Sequence, residues 1–592
     1  MKPRLLALLL CPTLLLADPS EDIPAWRDPP TGYQWAELGP RTVAVPLAEY
    51  TAVHHVSAAG SDETGDGSRA HPWKTIRHAL AQPVAKGRTA VLVAMGRYQE
   101  GVLAMKPTVD LYGGFDATSW ERNIGRFATT LSGGGQGRVL LGADNSRLDG
   151  FVIEDGVVRD HGGALLCDAV APVISNNVFR HNRTLARENH PGKDTDRRRV
   201  RGNDGGAIAL LHAADADIRH NLFIRNETDI GYGGALSAAH DCLPIIGHNV
   251  FWGNRAGVKD PDTRAGNGGA VALLFSSRAA VLHNLFAANS TLGFGDGGAL
   301  FMEYYCWPEI GHNAFIGNQA ADDGGGMDHQ KFSYPKVRAN LFYGNRAGKS
   351  GGGLHMDDST CELQNNIFAY NRVRRNGGGF AGTHSWVRAL NNTVTYNEAP
   401  QGGGGIQIVN VKNPFLRASI FRNNLITFNA PDAVRFDSDG QADVAYNIMH
   451  PGGYTGGYYN FDHAPEYADD GRQLRVGAAQ HDAARFVTTF PTDAALGDTD
   501  LTGRIVRSGD HWSMVQSNTA STVTLWGPAP AAAATEIEIL PTFHLSGKSR
   551  AITRGTYPEF PPLDIDGDQR QYPAVSAGAD EYRPAPRDKK KD

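Results

Sequence analysis

A glycine pair, a short alternating stretch and then Asn-x-Phe-x-x-Asn recur down the middle of this chain. GGALFMEYYCWPEIGHNAFIGN begins at Gly297, GGGMDHQKFSYPKVRANLFYGN at Gly324 and GGGLHMDDSTCELQNNIFAYN at Gly351. The first Asn of the motif stands at 177, 221, 249, 284, 313, 340, 366 and 392, and the last of these spacings settle at 29, 27 and 26 residues. A period in the twenties, with three short β-type runs and Gly/Asn corners, predicts one coil of a parallel β-solenoid. A leucine-rich repeat would show a Leu frame, and a propeller blade would need about 40 residues. In such a coil the Phe column (179, 223, 251, 286, 315, 342, 368) stacks in the core. Stacked Asn side chains bond coil to coil, and Asn suits a corner that needs a left-handed residue.

The ends carry different signals. MKPRLLALLLCPTLLLAD has basic Lys2 and Arg4 before an apolar run from Leu5 to Ala17. That run is too short to span a bilayer and reads as a secretory signal. Leu15 makes an imperfect cleavage site, and Leu10 before Cys11 disfavours a lipoprotein signal. With no other transmembrane candidate, the protein is expected to be secreted, periplasmic or at the cell surface. Pro72–Gln82 predicts a short amphipathic helix capping the first coil, whose open end would otherwise expose strand edges. Between 466 and 540 the repeat gives way to alternating apolar residues and Thr/Gly turns, a small inserted β module. The expected organisation is signal 1–17, lead-in 18–51, β-helix 52–465, insert 466–540, a closing segment 541–582 and a disordered tail 583–592.

A net charge of −6 and a pI near 6.4 argue against nucleic acid. Cys167, Cys242, Cys306 and Cys361 remain after signal removal. By coil register Cys242, Cys306 and Cys361 lie two coils apart, roughly 9–10 Å. That is too far for a disulfide, so free buried thiols are expected.

The residues after the glycines do not keep their character. Along this first strand alternate residues point outward. Over four consecutive coils Glu303, Tyr304, Asp328, Lys331, His355, Asp357, Asp358 and His384 converge on one face, which elsewhere is small or apolar. Variable insertions at 183–204, 255–267 and 290–296 would wall a groove beside it, and the first of them is strongly basic. Trp307, Phe332, Tyr334 and Trp386 lie just past the strand; Tyr304, Trp307, His384 and Trp386 are the candidate substrate contacts.

The opening VSAAGSDETGDGSRAHPWKTI, the segment YGGF and the close DIDGDQRQYPAVSAGADEY resemble the pectate-lyase-like superfamily of secreted bacterial right-handed parallel β-helix proteins. The resemblance implies an all-β right-handed parallel β-helix with polysaccharide lying along the first sheet, and the basic insertion suits an anionic polymer. The superfamily includes lyases, hydrolases, epimerases and non-catalytic surface proteins.

Two chemistries fit the cluster. In β-elimination Lys331 would be the base, among Asp328, His355 and Asp357, with Ca²⁺ held by carboxylates such as Glu303 and Asp358. In inverting hydrolysis Asp328 and Asp357, roughly 8 Å apart from strand dimensions, would flank the bond. The leading expectation is a monomeric polysaccharide lyase; the alternatives are an inverting glycoside hydrolase and a non-catalytic glycan-binding or adhesin-type surface protein. DIDGD, Asp564–Asp568, departs from the EF-hand order and predicts a structural turn.

Overall fold

Each glycine pair starts a coil, because neither glycine can be replaced without collision. Gly297 adopts φ +64°, and a Cβ on Gly298 would run into the Gly325 carbonyl oxygen of the next coil. The computed structural model describes residues 32–84, 86–186, 203–258, 266–409, 418–436, 442–451, 457–529, 535–552, 554–555, 560–570 and 575–581. The signal 1–17, the tail 583–592 and most of the basic insertion lie outside them.

The coils stack into a parallel β-helix. Its long sheets have 12 strands (the first sheet, following the glycines), 14 strands (the second, preceding the first Asn) and 13 strands (the third, carrying the Phe). Where three strands per coil were expected, many coils have a fourth, forming an eight-stranded sheet of two-residue strands such as Gln319–Ala320 and Arg346–Ala347. Two residues show no alternation, so this sheet has no periodic signature in the sequence. A helix at Ile76–Ala81 covers the first coils, burying Ile76, Ala79 and Leu80, and the Thr75 hydroxyl caps it by accepting from His78 N–H.

Inside, Phe179, Phe223, Phe251, Phe286, Phe315, Phe342 and Phe368 form one continuous stack, with centroids 4.6–5.0 Å apart. The four cysteines are free and buried. Two asparagine ladders run along the helix. In the first, Asn284 N–H and Nδ2 both donate to Asn313 Oδ1, at 2.9 and 3.0 Å, while Asn313 Nδ2 donates to Val281 O and Asn340 Oδ1. The second passes through Asn289, Asn318, Asn345 and Asn371 in the same way. The asparagines are not the left-handed residues, contrary to the sequence expectation. Positive φ falls one residue earlier, at His283, His312, Ala339 and Asn365. Asn is required for its side chain's donor and acceptor, not for its backbone.

The residue before the first Asn forms a histidine ladder, His220, His248, His283 and His312, with rings stacked 4.9–5.0 Å apart. Residues 33–37 strap across it: His220 Nδ1 meets Glu37 O at 2.8 Å, His248 Nε2 meets Gln34 Oε1 at 2.7 Å, and Tyr33 packs edge-on to His312. Burial lowers these histidines to about 4, 4, 3 and 4 in that order. Above about pH 6.5 neither folded nor unfolded ladder is protonated. Between 6.5 and 4 only the unfolded chain takes up protons, so the ladder's contribution is lost as pH falls through that window. Calorimetric Tm measured from pH 8 to 4 should therefore drop more steeply for the native chain than for His283→Gln; parallel curves would exclude the ladder as a source of acid lability.

Between the last coil and the chain's end, seven antiparallel strands within Arg472–Ile539 form a separate sheet with its own core, including Phe490, Val506, Val515 and Ile537. Trp512 and Trp526 of this sheet pack on the outer face of the third sheet, against residues such as Trp252 and Tyr343. DIDGD is a turn in which Asp564 Oδ1 accepts from the N–H groups of Asp566 and Asp568.

Candidate active site

The first-sheet strands Leu300–Glu303, Met327–Gln330, Leu354–Asp357 and Phe380–Thr383 pair in strict register, Phe301 with Asp328, His355 and Ala381, and Glu303 with Gln330, Asp357 and Thr383. Leu300, Met302, Met327 and Met356 face the core. His329 points the same way, fully buried, with Nδ1 3.0 Å from Ser359 Oγ and its pKa lowered to about 3 by burial. It is a neutral core residue.

Facing outward does not mean facing solvent here. Asp328 is fully buried and His355 nearly so, because the chain leading into each strand folds over the sheet. This corrects the expectation that both lie open in a cleft. His355 Nδ1 lies 2.6 Å from Asp328 Oδ2. The covering segments bring three carboxyls absent from the sequence-derived set: Asp296, Asp322 and Asp323, with oxygens within 4.8 Å of one another. Asp296 accepts from Asp323 N–H at 3.1 Å and from Gln330 Nε2 at 3.0 Å; Asp323 accepts from Ser350 N–H at 2.8 Å; Lys349 pairs with Asp322.

Asp296 and Asp323 each stand immediately before a glycine pair. The same position reads Asp204 and Asn267 in earlier coils, so aligned repeats place Asp296 and Asp323 in one column.

Crowding sets the electrostatics. Burial and then the fields of Asp328, Asp323 and Asp322 push the Asp296 carboxyl well above the usual carboxylate range. Burial also raises Asp328, with His355 pulling against it. Burial alone would lower His355, but Asp323, Asp328 and Asp296 together raise it to about 10, so it stays an imidazolium.

At the far end of the strands a second group forms in the turn. Lys331 Nζ lies 2.8 Å from Asp358 and 3.5 Å from Asp357, and His384 Nδ1 is 3.6 Å from each carboxylate. Burial disfavours the Lys331 charge, but the bond to Asp358 and the field of Asp357 outweigh it and raise its pKa. Asp357, Asp358 and His384 present three ligand atoms within 4.8 Å, yet the lysine ammonium already compensates the carboxylates, so this corner fits a metal poorly. Glu303 lies two strands from Asp357, with Gln330 between.

The predicted aromatic contacts divide. Tyr304 closes a stack running His212, His240, Phe275 and Tyr304, with centroids 4.8–5.4 Å apart. Rings stacked on one another offer edges rather than faces to a ligand. Trp307 is half-buried, and Trp386 lies on the second sheet, its Nε1 donating to Ala418 O. The exposed rings are others: Tyr305 and Phe332, stacked 5.5 Å apart beside Lys331, and Phe294 in the segment before Asp296. The acidic floor thus has apolar, solvent-facing residues at both ends of its strands. Of the predicted walls, residues 187–202 and 259–265 lie outside the described residues.

Fold and site together define a parallel β-helix with a cluster of carboxyls over its first sheet. Residues 58–267, about a third of the chain, match the family described as "Protein of unknown function (DUF1565)". A solved structure, "The complex structure of XylC with xylose", has 9% sequence identity over 89% of this chain and 98% of its own, with a TM-score of 0.32. No curated protein matches the chain. Among the described residues no helix is long and apolar enough to cross a membrane.

Proposed function

We propose that this protein is a carbohydrate-active enzyme that cleaves a polysaccharide lying across the first sheet, by acid–base hydrolysis. The observation that carries this reading is the set of Asp296, Asp322 and Asp323, three carboxyls with oxygens within 4.8 Å of one another, in which burial and the acidic neighbours push the Asp296 pKa well above the usual carboxylate range. Two carboxyls whose environments differ can divide into acid and base. Asp296 would protonate the glycosidic oxygen, and Asp323 would act on the anomeric side. Buried Asp328, bonded to His355, would be a positioning element, its carboxylate among the charges that raise the Asp296 pKa. Exposed Phe294, Tyr305 and Phe332 supply the apolar surface that sugar rings favour.

A polysaccharide lyase is the second reading. A Ca²⁺ held by Asp296, Asp322 and Asp323 would neutralise a uronate carboxylate, the condition elimination requires. The expected base, Lys331, is tied to two carboxylates with its pKa raised, and His355 is protonated, which favours hydrolysis. Calcium and a proton compete for the same carboxyls, so a chelator separates the two. Digests of neutral and uronate-containing polysaccharides are expected to yield reducing ends at undiminished rate in EDTA. An EDTA-sensitive product with the ultraviolet absorbance of a 4,5-unsaturated uronate would establish the lyase instead. No cleavage of any polysaccharide, with binding retained, would leave a glycan-binding surface protein.

A further inference from the structure

A cavity of about 290 Å³ lies away from the acidic cluster, on the outer face of the third sheet. It opens between the chain just after the strap, the turn at 123–125, the paired third-sheet residues Val178 and Leu222, and the inserted module. Four stretches far apart in sequence converge on it. Its volume falls at the small end of ligand pockets, room for one ring rather than a chain.

Its walls carry two arginines and no carboxylate. The groups open to solvent decide what it can recognise. Arg41, Asn123 and Arg485 are exposed, and Gln516 is half-buried. The side-chain acceptors among them are already taken by the chain itself. Asn123 Oδ1 accepts from Gly125 and Arg126 N–H at 3.2 and 3.1 Å, and Gln516 Oε1 accepts from the Ser517 hydroxyl at 2.7 Å. What remains, two amide nitrogens and two guanidiniums, can only donate. Arg41 is partly compensated, by Glu37 and by contact with His220 Nε2 at 3.1 Å. Arg485 is not: its backbone N–H donates to Asp482 Oδ1 at 3.1 Å, and among the described residues its guanidinium has no carboxylate partner. A positive rim made of donors suits a ligand that is negative and only accepts. A carboxylate is both, and a guanidinium can hold it with two parallel hydrogen bonds. Beside these donors Pro40, Ile124 and Val178 leave apolar surface partly exposed, which an inorganic anion would not cover.

We propose that this cavity binds a ring-sized organic carboxylate, as a site separate from the first sheet. Arg485 recognises the charge, Arg41 and the amides of Asn123 and Gln516 supply further donors, and the ring lies against Pro40, Ile124 and Val178. The donors come from the inserted module, the chain after the strap and the turn at 123–125. A bound ligand therefore ties the inserted module to the coils and stabilises the folded chain by mass action.

The test uses the full-length protein and saturation-transfer NMR with benzoate and glucuronate, their uncharged counterparts benzamide and glucose, and inorganic phosphate, alongside thermal shift. At least one of the two carboxylates is expected to bind saturably and raise Tm, with its uncharged counterpart and phosphate each roughly tenfold weaker or more. Arg485→Gln keeps a donor and removes the charge. It should weaken carboxylate binding roughly tenfold, the loss of about 1.4 kcal/mol, while leaving Tm without ligand nearly unchanged, because the residue is exposed. Ala484→Trp, which fills the mouth of the cavity, should abolish binding, and Lys331→Gln on the first sheet should leave it intact. The proposal falls if neither carboxylate binds at about 50 mM, a weaker limit than ordinary small-ligand affinity. It falls if benzamide or glucose binds as well as its acid, since the arginines would then select nothing, or if phosphate does, since the apolar wall would then add nothing. It falls equally if binding survives Arg485→Gln and Ala484→Trp undiminished; loss in Lys331→Gln would then place the anion on the first sheet.

Discussion

Asp296→Asn is expected to lower polysaccharide turnover by roughly 10²- to 10⁴-fold, the range a positioned general acid contributes. The amide keeps the size, and its one oxygen can still accept from Asp323 N–H while its NH₂ replaces the oxygen that faces Gln330, but it has no acidic proton to give up. Stability should hold or rise, because the change removes a group that crowds against Asp322, Asp323 and Asp328. The pH profile supplies the sharper readout. With Asp296 as acid, activity falls as pH rises through its raised pKa, and that limb should vanish in the variant. Asp357→Asn, in the Lys331 corner, should cost far less. If Asp357→Asn instead abolishes turnover and Asp296→Asn leaves it near the native rate, the chemistry belongs to the turn at Lys331, Asp357 and Asp358, and the assignment of the acid is wrong.

The largest expected loss of stability comes from the asparagine ladder. Asn313→Ala removes a side chain that accepts from Asn284 N–H and Nδ2 and donates to Val281 O and Asn340 Oδ1, all fully buried or nearly so. Each polar group stranded without water costs about 1–3 kcal/mol, so the total should reach roughly 3–5 kcal/mol once relaxation is allowed for. That compares with the cost of truncating a core phenylalanine, about 3–5 kcal/mol. Asn313→Asp should also be severe, since it keeps the acceptor but loses the donor and buries a charge. Denaturant unfolding checks both. A loss below about 1 kcal/mol, the range of ordinary surface changes, would mean that neighbouring coils close around the gap and that the ladder is dispensable.

Much of this molecule is legible in one dimension because a solenoid turns sequence period into spatial contact. Residues 26–29 apart become neighbours across a strand pair, so the Phe column, both Asn columns and the polar face at Asp328, His355 and Asp357 can be read by aligning repeats. Alternation then says which residues face the core, and it places His329 inward and Asp328 outward. The fourth sheet stays hidden because two-residue strands have no period.

What alternation does not determine is whether an outward residue meets water. That depends on where the chain travels between coils, and at Asp296 and Asp322–Asp323 it folds back over the first sheet. Those segments bury the Asp328–His355 pair and deliver the three carboxyls on which the proposed chemistry rests. The column of residues before the glycines contained Asp296 and Asp323, yet a carboxylate in a turn signals nothing by itself; only when Asp296 is partly buried against Asp328 and Asp323 is its pKa driven upward. Lys331 shows the converse. Its spacing among aspartates reads as a base, but in three dimensions Asp357 and Asp358 close on its ammonium and keep it charged. Sequence period fixed the neighbours along the coils, while burial and the closing of charge on charge, properties of the folded chain alone, decided which of those neighbours can move a proton.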